Sequence, residues 1–65
     1  MRIWLKEIRV SQNKTQDRIA SEIGKTRQYY SAIENGTRGN PLPVPIAQKI
    51  AAALGFDWQR FYEAQ

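Results

Sequence analysis

The sequence has 65 residues, neither cysteine nor histidine, and a net charge of +4 from ten Lys and Arg against six Asp and Glu. The length predicts one domain over residues 1–65, and without Cys or His neither a disulfide nor a zinc site is expected to support it. No apolar run approaches the ~20 residues that a membrane span requires, and charges interrupt the N-terminus too often for a signal peptide. The positive balance favours an anionic partner.

The first predicted helix runs from Met1 to about Asn13. Trp4, Leu5 and Ile8 recur at helical spacing and form one apolar stripe along it. Asn13 tolerates the left-handed conformation that often ends a helix, and the residues just before it are polar. We therefore expect the helix to stop there.

The middle of the chain predicts two short helices, Gln16–Ile23 and Arg27–Glu34, joined by a tight turn at Gly24. Thr15 and Thr26 precede the two helices, and each offers a hydroxyl to the unpaired N–H groups of a first helical turn. Glycine adopts a positive φ at little cost, which suits the sharp turn between them. Two helices with so short a connection form a helix-turn-helix unit.

The last part of the chain predicts two more helices after a loop that contains glycine and proline. One runs over Val44–Leu54, and its apolar stripe consists of Val44, Ala47, Ile50, Ala51 and Leu54. The other is short, runs from Trp58 to about Ala64, and is capped by Asp57. Because no strand pattern occurs, the predicted fold is an all-α bundle of five helices.

The third helix has a polar side opposite its large side chains. Successive residues turn by about 100°, so Tyr29, Tyr30 and Ile33 share one side. The other side has no acidic residue and consists of Arg27, Gln28, Ser31 and Ala32. In a DNA major groove, Arg pairs with guanine, Gln with adenine, Ser with either donors or acceptors, and Ala with the thymine methyl. The same side also fits a solvated amphipathic helix, so the helix alone leaves both interpretations open.

Phosphate contacts are predicted on both flanks of this polar side. Gln16 lies in the first turn of the second helix, where N–H groups and the helix dipole attract an anion. The full set of predicted phosphate contacts is Lys14, Thr15, Gln16, Tyr29, Asn35 and Arg38. Such contacts fix position and register rather than sequence preference. For Lys14 and Gln16 an ordinary surface side chain is the alternative.

The segment TQDRIASEIGKTRQYYSAIENG resembles the helix-turn-helix of the lambdoid phage repressor and Cro-like family, also called the XRE-type family. The matching positions are Thr15-Gln16, Ile19-Ala20, Ile23, Gly24, Ile33 and Glu34-Asn35-Gly36. The segments LKEIR and KIAAALGF resemble the first helix of the family and the helix after the unit. The resemblance implies a lambda repressor-like five-helix bundle that binds double-stranded operator DNA as a homodimer on an inverted repeat.

By position, the resemblance assigns the reading of bases to Arg27, Gln28 and Ala32, with Thr26 and Ser31 beside them. It implies that Gln16 holds a phosphate and braces the third helix, and that Arg9 and Glu34 form a structural salt bridge. The chain departs from the family at Lys14, where leucine is usual. It departs again at Tyr30, which replaces an aliphatic residue, so that its hydroxyl needs a partner or an exit to solvent.

These features predict a sequence-specific DNA-binding transcription regulator, a phage- or mobile-element-type repressor in the cytoplasm of a bacterial or phage-infected cell, associated with the nucleoid. The alternative is a protein-interaction module such as an antitoxin or adaptor, which the C-terminal aromatic residues Trp58, Phe61 and Tyr62 favour. An enzyme is not expected, because the chain has no His, no Cys and no glycine-rich phosphate loop. No cofactor, metal, membrane or small-molecule substrate is expected either.

Overall fold

The computed structural model describes residues 2–39 and 41–63. The helices of this part are α1 Ile3–Ser11, α2 Gln16–Ile23, α3 Arg27–Asn35, α4 Val44–Leu54 and a short 3-10 helix, Trp58–Tyr62. The described residues contain no strand, which agrees with the all-α prediction. The prediction of five α-helices is corrected to four α-helices and one 3-10 helix. Within the same ranges, no helix is long and apolar enough to cross a membrane.

α3 is one residue longer than predicted, ending at Asn35, and the other differences in helix bounds lie in the first and last helices. α1 ends at Ser11, earlier than predicted, and Asn13 then takes a φ of 57° that turns the backbone away from the helix. The C-terminal segment is 3-10 rather than α, with the N–H of Arg60 bonded to the carbonyl of Asp57 three residues back at 3.1 Å. The predicted ends at Met1 and at Ala64 lie outside the described residues.

Side-chain caps and a glycine define the helix-turn-helix unit. The hydroxyl oxygen of Thr15 accepts the N–H of Arg18, and that of Thr26 accepts the N–H of Tyr29, each at 3.1 Å. Both bonds satisfy N–H groups that lack a partner within the helix. Gly24, between the two helices, has a φ of 73°, which only glycine adopts at little cost. The predicted turn is confirmed.

The core lies where α2 packs against α3 and α4, with α1 against α3 and the 3-10 helix against α4. It contains side chains from every helix, and its apolar members are Leu5, Ile19, Ala20, Ile23, Tyr30, Ile33, Leu42, Ile46, Ala47, Ile50, Ala51, Leu54 and Phe61. Because α3 contributes Tyr30 and Ile33 to this core, its opposite side is held outward.

One predicted core position in α4 is wrong. Val44 is 43% exposed, whereas Ile46, which was not predicted, is buried. The buried arc of α4 is centred between Ala47 and Ile50, and a rotation of about 100° per residue puts Val44 and Ile46 at its two edges. Val44 also begins the helix, where fewer neighbours cover it.

The C-terminal aromatic residues pack onto α1. The ring of Trp4 lies 5.3 Å from that of Phe56 and 5.2 Å from that of Phe61, edge to face in both pairs. The hydroxyl of Tyr62 donates to the carbonyl of Leu42. These contacts use within the bundle much of the aromatic surface that favoured a protein-interaction module.

Truncation of the core at Ile50 tests this packing. Ile50 is fully buried, so we expect Ile50→Ala to lower the free energy of unfolding by about 2–5 kcal/mol, measured by urea denaturation followed by circular dichroism. Ile3→Ala removes the same atoms from a side chain that is 59% exposed, and should change the free energy of unfolding by less than about 0.5 kcal/mol. Equal losses in the two variants would contradict the described core.

Candidate nucleic-acid interface

The outward side of α3 lines a shallow surface groove of about 270 Å³. Its lining residues are Arg27, Gln28, Ser31, Ala32, Asn35 and Thr37. The structure therefore brings together the four residues that helical spacing placed on the polar side. No acidic side chain lines the groove, and most of its groups are hydrogen-bond donors or acceptors. We call this surface the reading groove.

Size and exposure vary along the reading groove. Arg27 and Gln28 are exposed, so their long side chains reach outward, whereas Ser31 and Ala32 are small and half-buried. Thr26 lies at the N-terminal end of α3, where its oxygen accepts the cap bond. A hydroxyl carries one donor and two acceptor positions, so this bond leaves Thr26 able to donate to a ligand.

A second surface pocket, of about 420 Å³, lies on the Arg27 side of the reading groove. It is lined by Arg9, Thr15, Gln16, Asp17 and Arg27. The guanidinium of Arg27 and the N-terminus of α2 meet there, and both features favour an anion, whereas the charge of Arg9 is paired with Glu34. The carboxylate of Asp17 also lines this pocket and opposes the positive charge.

The opposite flank of α3 has two cations on one tyrosine. The guanidinium carbon of Arg38 lies 4.8 Å from the ring centroid of Tyr29, and the Lys25 ammonium lies 5.4 Å from it. Both distances are typical of cation–π interactions. The half-buried ring thus holds positive charge beside α3. Lys25 was not among the predicted contacts, although its position immediately before Thr26, the cap of α3, could have indicated it.

A buried ion pair holds α3 to α1. The Nε of Arg9 donates to Oε2 of Glu34 at 2.6 Å, and the Glu34 residue is only 1% exposed. Arg9 also donates through Nη1 to the carbonyl of Lys14 at 2.7 Å. The Nε2 of Gln16 donates to Oε1 of Glu34 at 3.2 Å. The pair and its neighbours therefore join α1, the start of α2 and α3.

Hydrogen bonding controls the ionisation of this cluster. Burial alone would raise the pKa of Glu34, but the hydrogen bonds from Arg9 and Gln16 outweigh it and lower that pKa. The hydrogen bond to Glu34 raises the pKa of Arg9 in turn. Tyr30 lies beside them, and burial raises the pKa of its phenol. Its hydroxyl forms no hydrogen bond of ordinary geometry with a described residue.

The structure gives Lys14 a different partner from the phosphate that was predicted. Its ammonium donates to the carbonyl of Ala53 at 2.7 Å, and Gln12 donates to the carbonyl of Leu54 at the same distance. Both carbonyls lie in the last turn of α4, where a cation complements the helix dipole. Lys14 is half-buried there and serves to cap α4.

One further site residue, Asn35, differs from its predicted place, and another, Thr37, was not predicted. Asn35 lines the reading groove itself rather than only the region beyond it. Thr37 also lines it and was missed, because nothing in the sequence shows to which side the chain turns after Gly36. The hydroxyl of Thr37 donates to the carbonyl of Ala32 at 3.3 Å, which holds it against the helix.

The lowered pKa of Glu34 predicts a loss of stability in acid. A carboxyl group whose pKa is lower in the folded state than in the unfolded state stabilises the fold at pH values above its unfolded pKa, here 4.5. This contribution is lost as the pH falls through the pKa of the folded state. We expect the free energy of unfolding to drop below about pH 4.5, and Glu34→Gln to weaken this dependence. Urea titrations between neutral and acid pH measure it.

Glu22→Gln is the matched control, because Glu22 pairs with Arg18 at 3.4 Å on the surface. It should change the free energy of unfolding by less than about 1 kcal/mol at neutral pH and leave the acid dependence in place. An unchanged acid dependence in Glu34→Gln would show that other groups cause it.

Comparisons with known proteins agree with this geometry. The family model described as helix-turn-helix matches residues 5–61. The chain is 44% identical over 63 residues to a Bacillus subtilis (strain 168) protein named "Uncharacterized HTH-type transcriptional regulator YqaF", covering 97% of this chain and 80% of that protein. No solved structure matches the chain. The matched residues include the reading groove, both of its flanks and the buried ion pair, and the chain belongs to the XRE-type helix-turn-helix family.

Proposed function

We propose that this protein is a sequence-specific DNA-binding transcription regulator that reads an operator through the major groove with α3. The observation that carries the proposal is the reading groove, an outward face of α3 without acidic residues, with Arg27 and the N-terminus of α2 on one flank and the cations over Tyr29 on the other. Membership of a helix-turn-helix family and the name of the Bacillus relative, an HTH-type transcriptional regulator, support it.

The reading of bases falls to the residues at the outer edge of α3. Arg27 reads guanine and Gln28 reads adenine through paired hydrogen bonds, because their side chains are exposed and long enough to reach base edges. The small Ser31 and Ala32 let the helix approach the bases closely, and Ala32 suits a thymine methyl. Thr26 contributes its hydroxyl at the N-terminal end of the helix, where recognition helices meet the bases.

Phosphates bind on both sides of the reading groove. On the Arg27 side, the N-terminus of α2 with Thr15 and Gln16 receives one phosphate, as expected for the helix that crosses the DNA backbone. Beyond the other end of α3, Asn35, Tyr29 and Arg38 receive another. These contacts set the register in which α3 enters the groove.

Regulation follows from occupancy of the operator. A phage- or mobile-element-type repressor that binds over a promoter excludes polymerase. A homodimer on an inverted repeat doubles the DNA contacts, because both subunits use the same residues. This assignment rests on the resemblance of the segment 15–36 to the repressors of this family. The protein would act in the cytoplasm, where bacterial DNA lies.

Selection of binding sites from a random pool of DNA duplexes tests the proposed function. We expect the wild-type protein to recover one sequence arranged as an inverted repeat, with binding that weakens steeply as salt rises because phosphate contacts release counterions. Recovery of no preferred sequence at low salt would overturn the proposal. Capture of a stoichiometric protein partner without DNA binding would instead support the interaction module.

Two arginine variants separate base reading from phosphate binding. Arg27→Ala should cost about 1–3 kcal/mol on the selected duplex and relax the preference at one base position. Arg38→Ala should weaken binding to all duplexes alike and reduce the slope of log affinity against log salt by about one. Titrations of labelled selected and scrambled duplexes at several salt concentrations measure both. Uniform weakening by Arg27→Ala would contradict a base-reading role.

A further inference from the structure

An arginine close to the N-terminus holds the far end of α3. The backbone N–H of Arg2 donates to the carbonyl of Glu34 at 2.8 Å, and its Nη1 donates to the carbonyl of Ile33 at 2.6 Å. Both carbonyls belong to the last turn of α3, where no following helical turn supplies N–H donors, and that of Ile33 also accepts the N–H of Gly36 at 3.2 Å. A cation at this end also complements the helix dipole. Arg2 therefore caps the recognition helix from a distant part of the sequence.

The same guanidinium also binds the loop that follows α3. Nη1 donates to the carbonyl of Arg38 at 3.1 Å, and Nη2 donates to the carbonyl of Gly39 at 2.5 Å. The loop packs closely against Leu42 at this point, since a Cβ on Gly39 would lie 2.6 Å from Cδ1 of Leu42. One side chain thus joins the end of α3 to the segment 37–39.

This segment carries two groups of the proposed DNA surface. Thr37 lines the reading groove, and the guanidinium of Arg38 lies over the ring of Tyr29. The backbone N–H groups of Thr37 and Arg38 donate to the carbonyl of Ala32 at 3.0 and 3.2 Å. Arg2 fixes the same short segment from its carbonyl side.

We propose that Arg2 is a positioning residue for DNA binding, which holds the segment 37–39 against the end of α3 so that Arg38 is preset to meet a phosphate. The inference rests on the proposed function and adds to it a residue outside the DNA surface. Presetting matters because a side chain or loop that must be ordered on binding lowers the affinity.

The geometry requires arginine rather than any cation. The planar guanidinium presents several N–H groups in a fixed fork, and here two of its nitrogens serve three carbonyls. A lysine ammonium is a single point of charge on a flexible stem and does not reproduce this fork. Arg2→Lys therefore removes the positioning while it keeps the net charge, which matters for binding to an anion as large as DNA.

A double-variant cycle tests the proposal. Arg2→Lys, Arg38→Ala and the double variant are titrated against the duplex recovered by the wild-type protein and against a scrambled duplex, at several salt concentrations. We expect Arg2→Lys to weaken binding to both duplexes by up to about tenfold. The slope of log affinity against log salt should fall toward that of Arg38→Ala. The double variant should bind no more weakly than Arg38→Ala alone. Affinities are corrected for the folded fraction, measured by circular dichroism.

Arg60→Lys is the matched control, because the guanidinium of Arg60 stacks on the ring of Trp4 in α1, with 4.6 Å to its centroid. Amide hydrogen exchange gives a second readout, without DNA. Arg2→Lys should speed exchange at Thr37 and Arg38 by more than it speeds exchange at Ile23 in α2. If Arg2→Lys does not fold, Gly39→Ala replaces it, since that change displaces the same segment. Its effect on DNA affinity should also disappear when Arg38→Ala is already present.

Two results would overturn the positioning role. One is unchanged affinity and salt slope in Arg2→Lys while the wild-type protein and Arg60→Lys bind DNA normally. The other is a double variant whose losses add, since Arg2 would then act independently of Arg38. A wild-type protein that binds no DNA would instead overturn the proposed function itself, and the two failures are therefore distinct.

Discussion

The ion pair between Arg9 and Glu34 is the constraint on which the placement of the recognition helix depends. Both charges are buried, and a buried charge without its partner costs about 3–5 kcal/mol, so the pair permits one arrangement of α1 against α3. Gln16 and the carbonyl of Lys14 bind the same pair and add the start of α2 to it. Three elements are thereby fixed around a single polar centre in a core that is otherwise apolar.

A chain of 65 residues buries only about 60% of the surface that its unfolded form exposes, so polar contacts matter beside apolar packing in holding a helix. Tyr30 and Ile33 anchor the inner side of α3, and polar contacts fix the helix from α1 and from the N-terminal residues. The ion pair acts from α1, and Arg2 acts at the carbonyl end. A helix held in this way presents its outer residues in one orientation, which reduces the ordering cost of binding.

In the proposed function, different groups on α3 and around it give this small basic domain its affinity for DNA and its specificity for one sequence. The outer edge of α3 carries groups suited to base edges, while cations and a helix N-terminus lie on its flanks. In the proposed function, positive charge gives affinity for any duplex, and the reading groove adds the preference for one sequence.

The sequence by itself determined the local elements. The bounds of α2 and α4 agree with the prediction residue for residue, because caps such as Thr15 and glycines such as Gly24 act on their own neighbours. The outward residues of α3 followed from helical periodicity for the same reason. Only the tertiary structure decided the partners of Arg2 and Lys14, which lie 31 and 39 residues away along the chain. Spacing along a sequence does not encode such contacts, since they depend on how separate helices meet.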